Sequence, residues 1–272
     1  MTHTAPTHAL IPCGGKGTRM LSLTGGAPKE LVEVAGTPVV ERVARECAAS
    51  GITDLLVVIA PGKEAIQDRL AWQAGTHGMP ARISFAVQRE ARGLADAIRL
   101  GAAFSGRGPI AVALPDNLFL SETPALQQVI DVATRTGKSA VSIVGITADE
   151  ARAKGATAIY RGDIVGHEYR IAHIPDKGAK SSTFDTGGAK LAYTGVGRYA
   201  FTHAIWKAID EVDGTLKPGA ELDDIPVMQL LLNRGLMTGC LIDGRFLDVG
   251  LPTGYTEANE YLARGGDARL LR

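Results

Sequence analysis

Short apolar runs alternate with helical periodicities along the first half of this chain, and that alternation leaves few folds open to it. Residues 9–12 are apolar and drop straight into glycines, as a buried strand does where it enters a loop. Residues 39–50 carry helical periodicity, with Gly51 placed as a C-cap. Residues 54–60 (DLLVVIA) form the near-continuous apolar run of a central parallel strand. The pattern continues with a helix over 63–73, a strand over 83–87, an alanine-rich helix over 91–104 and a strand over 110–114. A helix over 123–136 and a strand over 139–144 follow. This succession predicts an α/β fold, Rossmann-like, with a mostly parallel sheet flanked by helices on both faces. In such sheets ligands sit beyond the carboxyl ends of the strands. Residues 13–19 and 115–117 lie at such ends.

The rest of the chain is less regular. Strands are expected over 156–161, 169–173, 191–201, 237–242 and 245–249, and helices over 203–212, 223–232 and 252–262. Residues 176–188 are polar and glycine-rich, the composition of a mobile loop over a site. No repeat or low-complexity tract interrupts the chain, so residues 1–272 read as one domain. Its first half covers about 1–145 and a second lobe about 146–262.

Charge narrows the partners. Lys and Arg total 29 and Asp and Glu total 29, so the chain lacks the positive field that non-specific nucleic-acid binding requires. A pocket for a small phosphorylated ligand remains compatible with zero net charge. The three cysteines, Cys13, Cys47 and Cys240, form no CxxC pair and no zinc-like cluster, and read as reduced or buried thiols. With no basic segment leading an apolar core at the start, and no apolar run long enough to span a bilayer, the expectation is a cytoplasmic protein without a membrane partner.

The segment Cys13-Gly14-Gly15-Lys16-Gly17-Thr18-Arg19 follows the first strand. Glycine backbone N–H groups with no Cβ in the way approach phosphate oxygens closely, and Arg19 adds a forked cation. The segment is neither a Walker A loop nor the GxGxxG of dinucleotide folds. It continues as GGKGTRMLSLTGGAPKELVEVAGTPVVERV. Gly14, Gly15, Gly17, Thr18 and Arg19, then Pro28-Lys29-Glu30-Leu31, then Gly36-Thr37-Pro38-Val39-Val40 fit a pattern GGxGTR…PKEL…GxPxx. In this the chain resembles the sugar-1-phosphate nucleotidyltransferases, of the nucleotide-diphospho-sugar transferase fold. It is most similar to the branch that makes UDP-glucose, and the resemblance runs in order to about residue 261. It implies that the glycine loop and Arg19 hold a nucleoside triphosphate and that Lys29 contacts phosphates on the reacting side. It also implies a homo-oligomer.

Gln88 ends a strand, and Gly93-Leu94-Ala95-Asp96-Ala97 opens the next helix. A glutamine amide both donates and accepts, which suits an imide edge such as that of uracil. The resemblance assigns base contacts to Gln88 and Gly93, which favours UTP over dTTP or GTP. Asp96 stands where related enzymes often carry histidine and reads as an acid in a first helical turn. Asp116 ends the strand 110–114, and Asp248 ends the strand near the carboxyl terminus. Magnesium takes oxygen ligands, and two aspartates at strand ends could supply them, although spacing alone does not bring them together. The resemblance implies that they meet as magnesium ligands, with Gly250 and Tyr255 in the later motif.

The acceptor side departs from the family. Aligned on Pro175, His173 replaces the family's sugar-binding acid and Ile174 its phosphate-binding lysine. Lys177 and Lys180 follow within reach of the same phosphate. Val196-Gly197-Arg198-Tyr199 matches a family phrase, with Gly195 just before it, but Ala192 replaces a sugar-contacting asparagine. Asp223 and Asp224 stand in a divergent phrase, either of them a candidate acceptor contact. The expected reaction is Mg2+-dependent nucleotidyl transfer to a sugar 1-phosphate, or to a related acceptor such as a cyclitol phosphate, with release of pyrophosphate. A non-catalytic nucleotide-binding relative is the main rival reading. An NAD-dependent oxidoreductase is the lesser one, suggested only by a glycine loop after a strand.

Overall fold

The computed structural model describes residues 4–15, 17, 20, 24–147, 159–174 and 191–267. Among these the largest sheet has nine strands. Four run parallel side by side: β5 (Arg82–Val87), β4 (Asp54–Ile59), β1 (His8–Cys13) and β6 (Ile110–Ala113). β11 (Ala192–Phe201) is antiparallel to both β6 and β8 (Ser139–Ile146), and β12 (Met237–Leu241) runs parallel to β8. The hairpin of β9 (Ile159–Val165) and β10 (Glu168–His173) closes that side, and β9 also touches β11.

Alternation along the strands divides the core between the two faces. Ala9, Ile11, Leu55, Val57, Ile59 and Ala111 point into one apolar cluster. Leu10, Leu56, Val58, Ile110 and Val112 point into the other. The first face is covered by α1 (Val39–Ala49), α2 (Glu64–Leu70) and α5 (Ala125–Thr136). The opposite face takes α3 (Leu94–Arg99), α6 (Ala204–Asp213) and α7 (Asp224–Asn233). Each fully buried Leu, Ile or Val here contributes about 1.5–3 kcal/mol. In α1 the apolar side chains fall on one stripe, Val39, Val40, Val43, Ala44 and Cys47, the spacing that a helix lying on a sheet requires. The α5 helix ends at Gly137, whose φ of 69° is the left-handed stop glycine tolerates best.

Two small ribbons complete the frame. One pairs β2 (Glu33–Val34) with β3 (Thr37–Pro38). The other pairs β7 (Asn117–Leu120) with β13 (Arg245–Asp248), just before α8 (Pro252–Ala263). The alanine-rich stretch 91–104 holds two short helices, α3 and α4 (Gly101–Phe104), joined at Leu100, whose φ of −62° and ψ of −22° remain helical. Close packing explains the glycine there: a Cβ on Gly101 would come within 2.8 Å of Ile110 Cδ1.

Candidate active site

The carboxyl ends of β1, β5 and β6 open into one cleft. Gly14 and Gly15 enter it from β1, Gln88 from β5 and Asp116 from β6, with Gly93 at the far end and Lys29 at its floor. This part encloses about 290 Å3. It shares Lys29, Leu114 and Asp116 with an adjoining space of about 260 Å3, lined further by Gly17, Asn117, Asp248 and Gly250. Lys29 begins a short 3-10 turn, Lys29–Leu31, and Gly17 lies against its alkyl stem.

The β7–β13 ribbon brings the two aspartates together. Its register sets Asp248 opposite Asn117, the residue after Asp116. Gly250 then lies between them. A Cβ on Gly250 would stand 2.9 Å from Asp116 Oδ2 and 3.2 Å from Asp248 Oδ1, so both carboxylates face one small volume. Lys29 Nζ donates to Asp116 Oδ2 at its edge. Burial alone would lower the Lys29 pKa, but Asp116, Glu30 and Asp248 outweigh it and raise the ammonium above its ordinary 10.5. The site therefore holds a fixed cation and two carboxylates beside a glycine loop. Magnesium takes hard oxygen donors and retains several waters, so Asp116 and Asp248 are the two side chains here whose chemistry suits such an ion.

Several supports are not apparent from the sequence pattern. Arg198, fully buried, donates through Nη1 to the Leu114 carbonyl (3.0 Å) and through Nη2 to the Asn117 carbonyl (2.7 Å), bracketing Asp116 on both sides. Its charge is met by Glu46 on α1, at 3.0 and 2.7 Å, with neither side chain exposed, and its guanidinium lies 5.1 Å from the Phe119 ring centre. Leaving either ion of such a pair buried alone costs about 3–5 kcal/mol. Under the glycine loop, Lys63 Nζ donates to the Gly15 carbonyl (2.6 Å) and to both oxygens of buried Glu30 (2.8 and 2.9 Å). Arg198 and Glu30 carry a sequence signal, as parts of Val196–Tyr199 and Pro28–Leu31; Lys63 reads only as the start of a helix.

Gln88 is buried and held by its amide nitrogen. Its Nε2 donates to the Gly93 carbonyl (3.1 Å) and to Asp96 Oδ2 (2.9 Å), and its Oε1 lies over Gly14, 2.6 Å from where a Cβ would be. Gly93 has φ 109°, and a Cβ there would come within 2.4 Å of the Leu222 carbonyl oxygen. Conformation and space both require glycine.

The acceptor candidates are more scattered. His173 is exposed at the end of β10, and Gly195 lies half-buried in β11 opposite Ile143; neither lines the two spaces above. Ile174 is buried, and its carbonyl accepts from Gln229 (3.0 Å). Asp223 caps α7 by accepting from the Asp224 N–H (3.0 Å), and Asp224 accepts from the Tyr199 hydroxyl (3.3 Å). The stretch holding them packs against the Gly93 end of the cleft, where Glu221 lines the wall. Tyr255 donates to the Glu33 carbonyl (3.1 Å), a packing role between α8 and the β2–β3 ribbon. Thr18, Arg19, Lys177, Lys180 and the loop 176–188 lie outside the described residues. Among the described residues no helix is long and apolar enough to cross a membrane.

The profile of the nucleotidyl transferase family matches residues 8–265. A protein of Bacillus subtilis (strain 168) is 31% identical over 265 residues, covering 91% of this chain and 93% of its own length. The UTP–glucose-1-phosphate uridylyltransferase of the same organism is 26% identical, covering 91% and 87%. Among solved structures, a UDP-glucose pyrophosphorylase complexed with UDP-glucose superposes with TM-score 0.79 at 23% identity, over 97% of this chain and 100% of that one. The UTP-bound enzyme of Acinetobacter baumannii gives 0.76 at 20% identity, over 98% and 95%. These two likenesses establish the fold, and the sequence matches go further: the chain belongs to the nucleotidyl transferase family, whose reaction type is nucleotidyl transfer between a nucleoside triphosphate and a sugar 1-phosphate.

Proposed function

We propose that the protein transfers a uridylyl group from UTP to a sugar 1-phosphate or a related phosphorylated metabolite, releasing pyrophosphate. The observation that carries this reading is the convergence of Asp116, Asp248 and the Lys29 ammonium beside Gly14 and Gly15. An oxygen of the acceptor phosphate attacks the α-phosphorus, and the bond from that phosphorus to the bridging α–β oxygen breaks. The nucleophile is already an anion, so no covalent enzyme intermediate is required. Magnesium held by Asp116 and Asp248 would neutralise charge shared between the phosphates. Lys29, cationic throughout the physiological range, meets charge developing on the reacting phosphates. Arg19 extends that role to the triphosphate. The glycine backbone lets the triphosphate approach closely, and its alignment with the acceptor supplies the rest of the rate.

The names of the relatives support UTP as donor. The acceptor is left open by Ile174, whose buried side chain offers no charge to a phosphate, and Lys177 or Lys180 is the proposed replacement. The test is pyrophosphate release over a panel of triphosphates and sugar or cyclitol phosphates. UTP with one acceptor class should turn over with magnesium, and Asp116→Asn should lower turnover by roughly 10²-fold or more while the protein stays folded. A folded wild-type protein inactive over the whole panel, yet binding UTP, would instead be a nucleotide-binding relative.

A further inference from the structure

Asp96 does more than sit in a helix's first turn. It is buried, and α3 is only six residues long, so the helix dipole gives little reason to place an acid there. One carboxylate oxygen, Oδ2, accepts from Gln88 Nε2 (2.9 Å). The other, Oδ1, accepts from Arg99 Nη2 (2.6 Å), with Arg92 Nη1 at 3.8 Å. Both arginines are tied in turn to Asp213, at 2.8 and 3.0 Å, and the Asp96 N–H donates to the Leu222 carbonyl (3.1 Å). The carboxylate is thus held from its far side while its near side meets the glutamine.

A carboxylate and a backbone carbonyl only accept hydrogen bonds. Of the two ends of the Gln88 amide, therefore, only the nitrogen can face Asp96 and Gly93 together. Both amide hydrogens are used, and the amide oxygen must turn to the Gly14 side of the cleft. Resting on the nucleotide reading above, we infer that Asp96 is a positioning residue that fixes Gln88 as an acceptor and so selects bases carrying a ring N–H. Uracil and thymine present N3–H and guanine N1–H to such an oxygen. Cytosine N3 and adenine N1 present a lone pair and are repelled.

The experiment compares UTP, CTP and N3-methyl-UTP by calorimetric binding with magnesium, and UTP with CTP by kcat/KM. The wild type should prefer UTP and lose affinity for N3-methyl-UTP by about tenfold or more. Asp96→Asn offers a donor as well as an acceptor, so only the Gly93 carbonyl still dictates the orientation of the Gln88 amide, and the UTP:CTP ratio should fall by about tenfold or more. Arg99→Ala loosens the same network while leaving the acceptor-only carboxylate in place, and should leave the ratio unchanged. Equal binding of UTP and N3-methyl-UTP by the wild type overturns the inference whether or not Asp96→Asn folds. So does an unchanged ratio in folded Asp96→Asn, or an Arg99→Ala ratio that shifts as far. Equal binding of UTP and CTP by the wild type overturns it too, whereas a wild type that binds neither nucleotide defeats the nucleotide reading itself, a separate result.

Discussion

Gly250 is the residue on which the geometry turns. Its backbone is not in the left-handed region, so alanine there meets no conformational penalty. What alanine would meet is Asp116 and Asp248, with one carboxylate oxygen of each within 3.2 Å of the added carbon. Gly250→Ala should therefore melt close to the wild type yet lose about 10²-fold in kcat, the scale of a small misplacement of reacting groups. A calorimetric scan beside steady-state kinetics separates the two effects; a large drop in melting temperature with kcat preserved would contradict the assignment. At this scale the sequence is informative where residues sit in short local motifs, even when those motifs are far apart in the chain. Gly14, Gly15, Lys29, Gln88 and Gly93 all line one cleft. It was silent on Lys63, because nothing local marks a lysine whose partners are Glu30 and the Gly15 carbonyl.

Among the elements, α1 supplies two buried acids that do different work. Glu46 holds Arg198, and through it the Asp116 turn. Glu41 faces outward to α2 and the turn after it. Burial would raise its pKa, but hydrogen bonds from Gln73, Arg45 and Arg69 outweigh that and hold it below the ordinary 4.5. A folded pKa below the unfolded one gives a contribution complete above pH 4.5, lost as pH falls through the folded value. Urea midpoints of the wild type and Glu41→Gln should thus differ at pH 7, and the gap should narrow as pH falls below 4.5; a gap of constant size down to the acid limit of folding would exclude the linkage. Continuously apolar strands such as β4 and β6 are evident from the sequence because they are buried on both faces. The ribbon that joins Asp116 to Asp248 was not. Residues 117–120 lie between the expected strand 110–114 and helix 123–136 with no element expected there, and they become β7 only through pairing with β13 at the other end of the chain. Strand pairing between distant segments leaves no local period to detect.

Over the whole molecule, the three thiols lie in a single cluster on one face of the sheet, Cys13 at the end of β1, Cys47 in α1 and Cys240 in β12. Burial pushes Cys47 and Cys240 up to about 12. Burial, aided by Glu30, drives Cys13 well above its ordinary value. Alkylation needs both access and a thiolate, so the native protein should resist iodoacetamide at pH 8 while the unfolded chain takes up three labels. Because one apolar cluster covers all three, cooperative opening of that face should label Cys47 and Cys240 at a common rate. Cys13 tests the link between core and site, since it immediately precedes Gly14 and feels Glu30, Lys63, Lys29 and Asp116. On the proposed function, UTP with magnesium at about 100 times its Kd would stabilise the folded state by about 2.7 kcal/mol. If Cys13 is exposed only when the glycine loop and the sheet open together, that ligand should slow its labelling by about 10²-fold, as much as it slows the other two. Mass spectrometry of each cysteine-containing peptide over time reads the three rates separately. Cys13 labelled quickly in the free protein and protected only by ligand would mean that the loop opens without the core, and that the Lys63–Glu30 clamp does not bind the two into one unit.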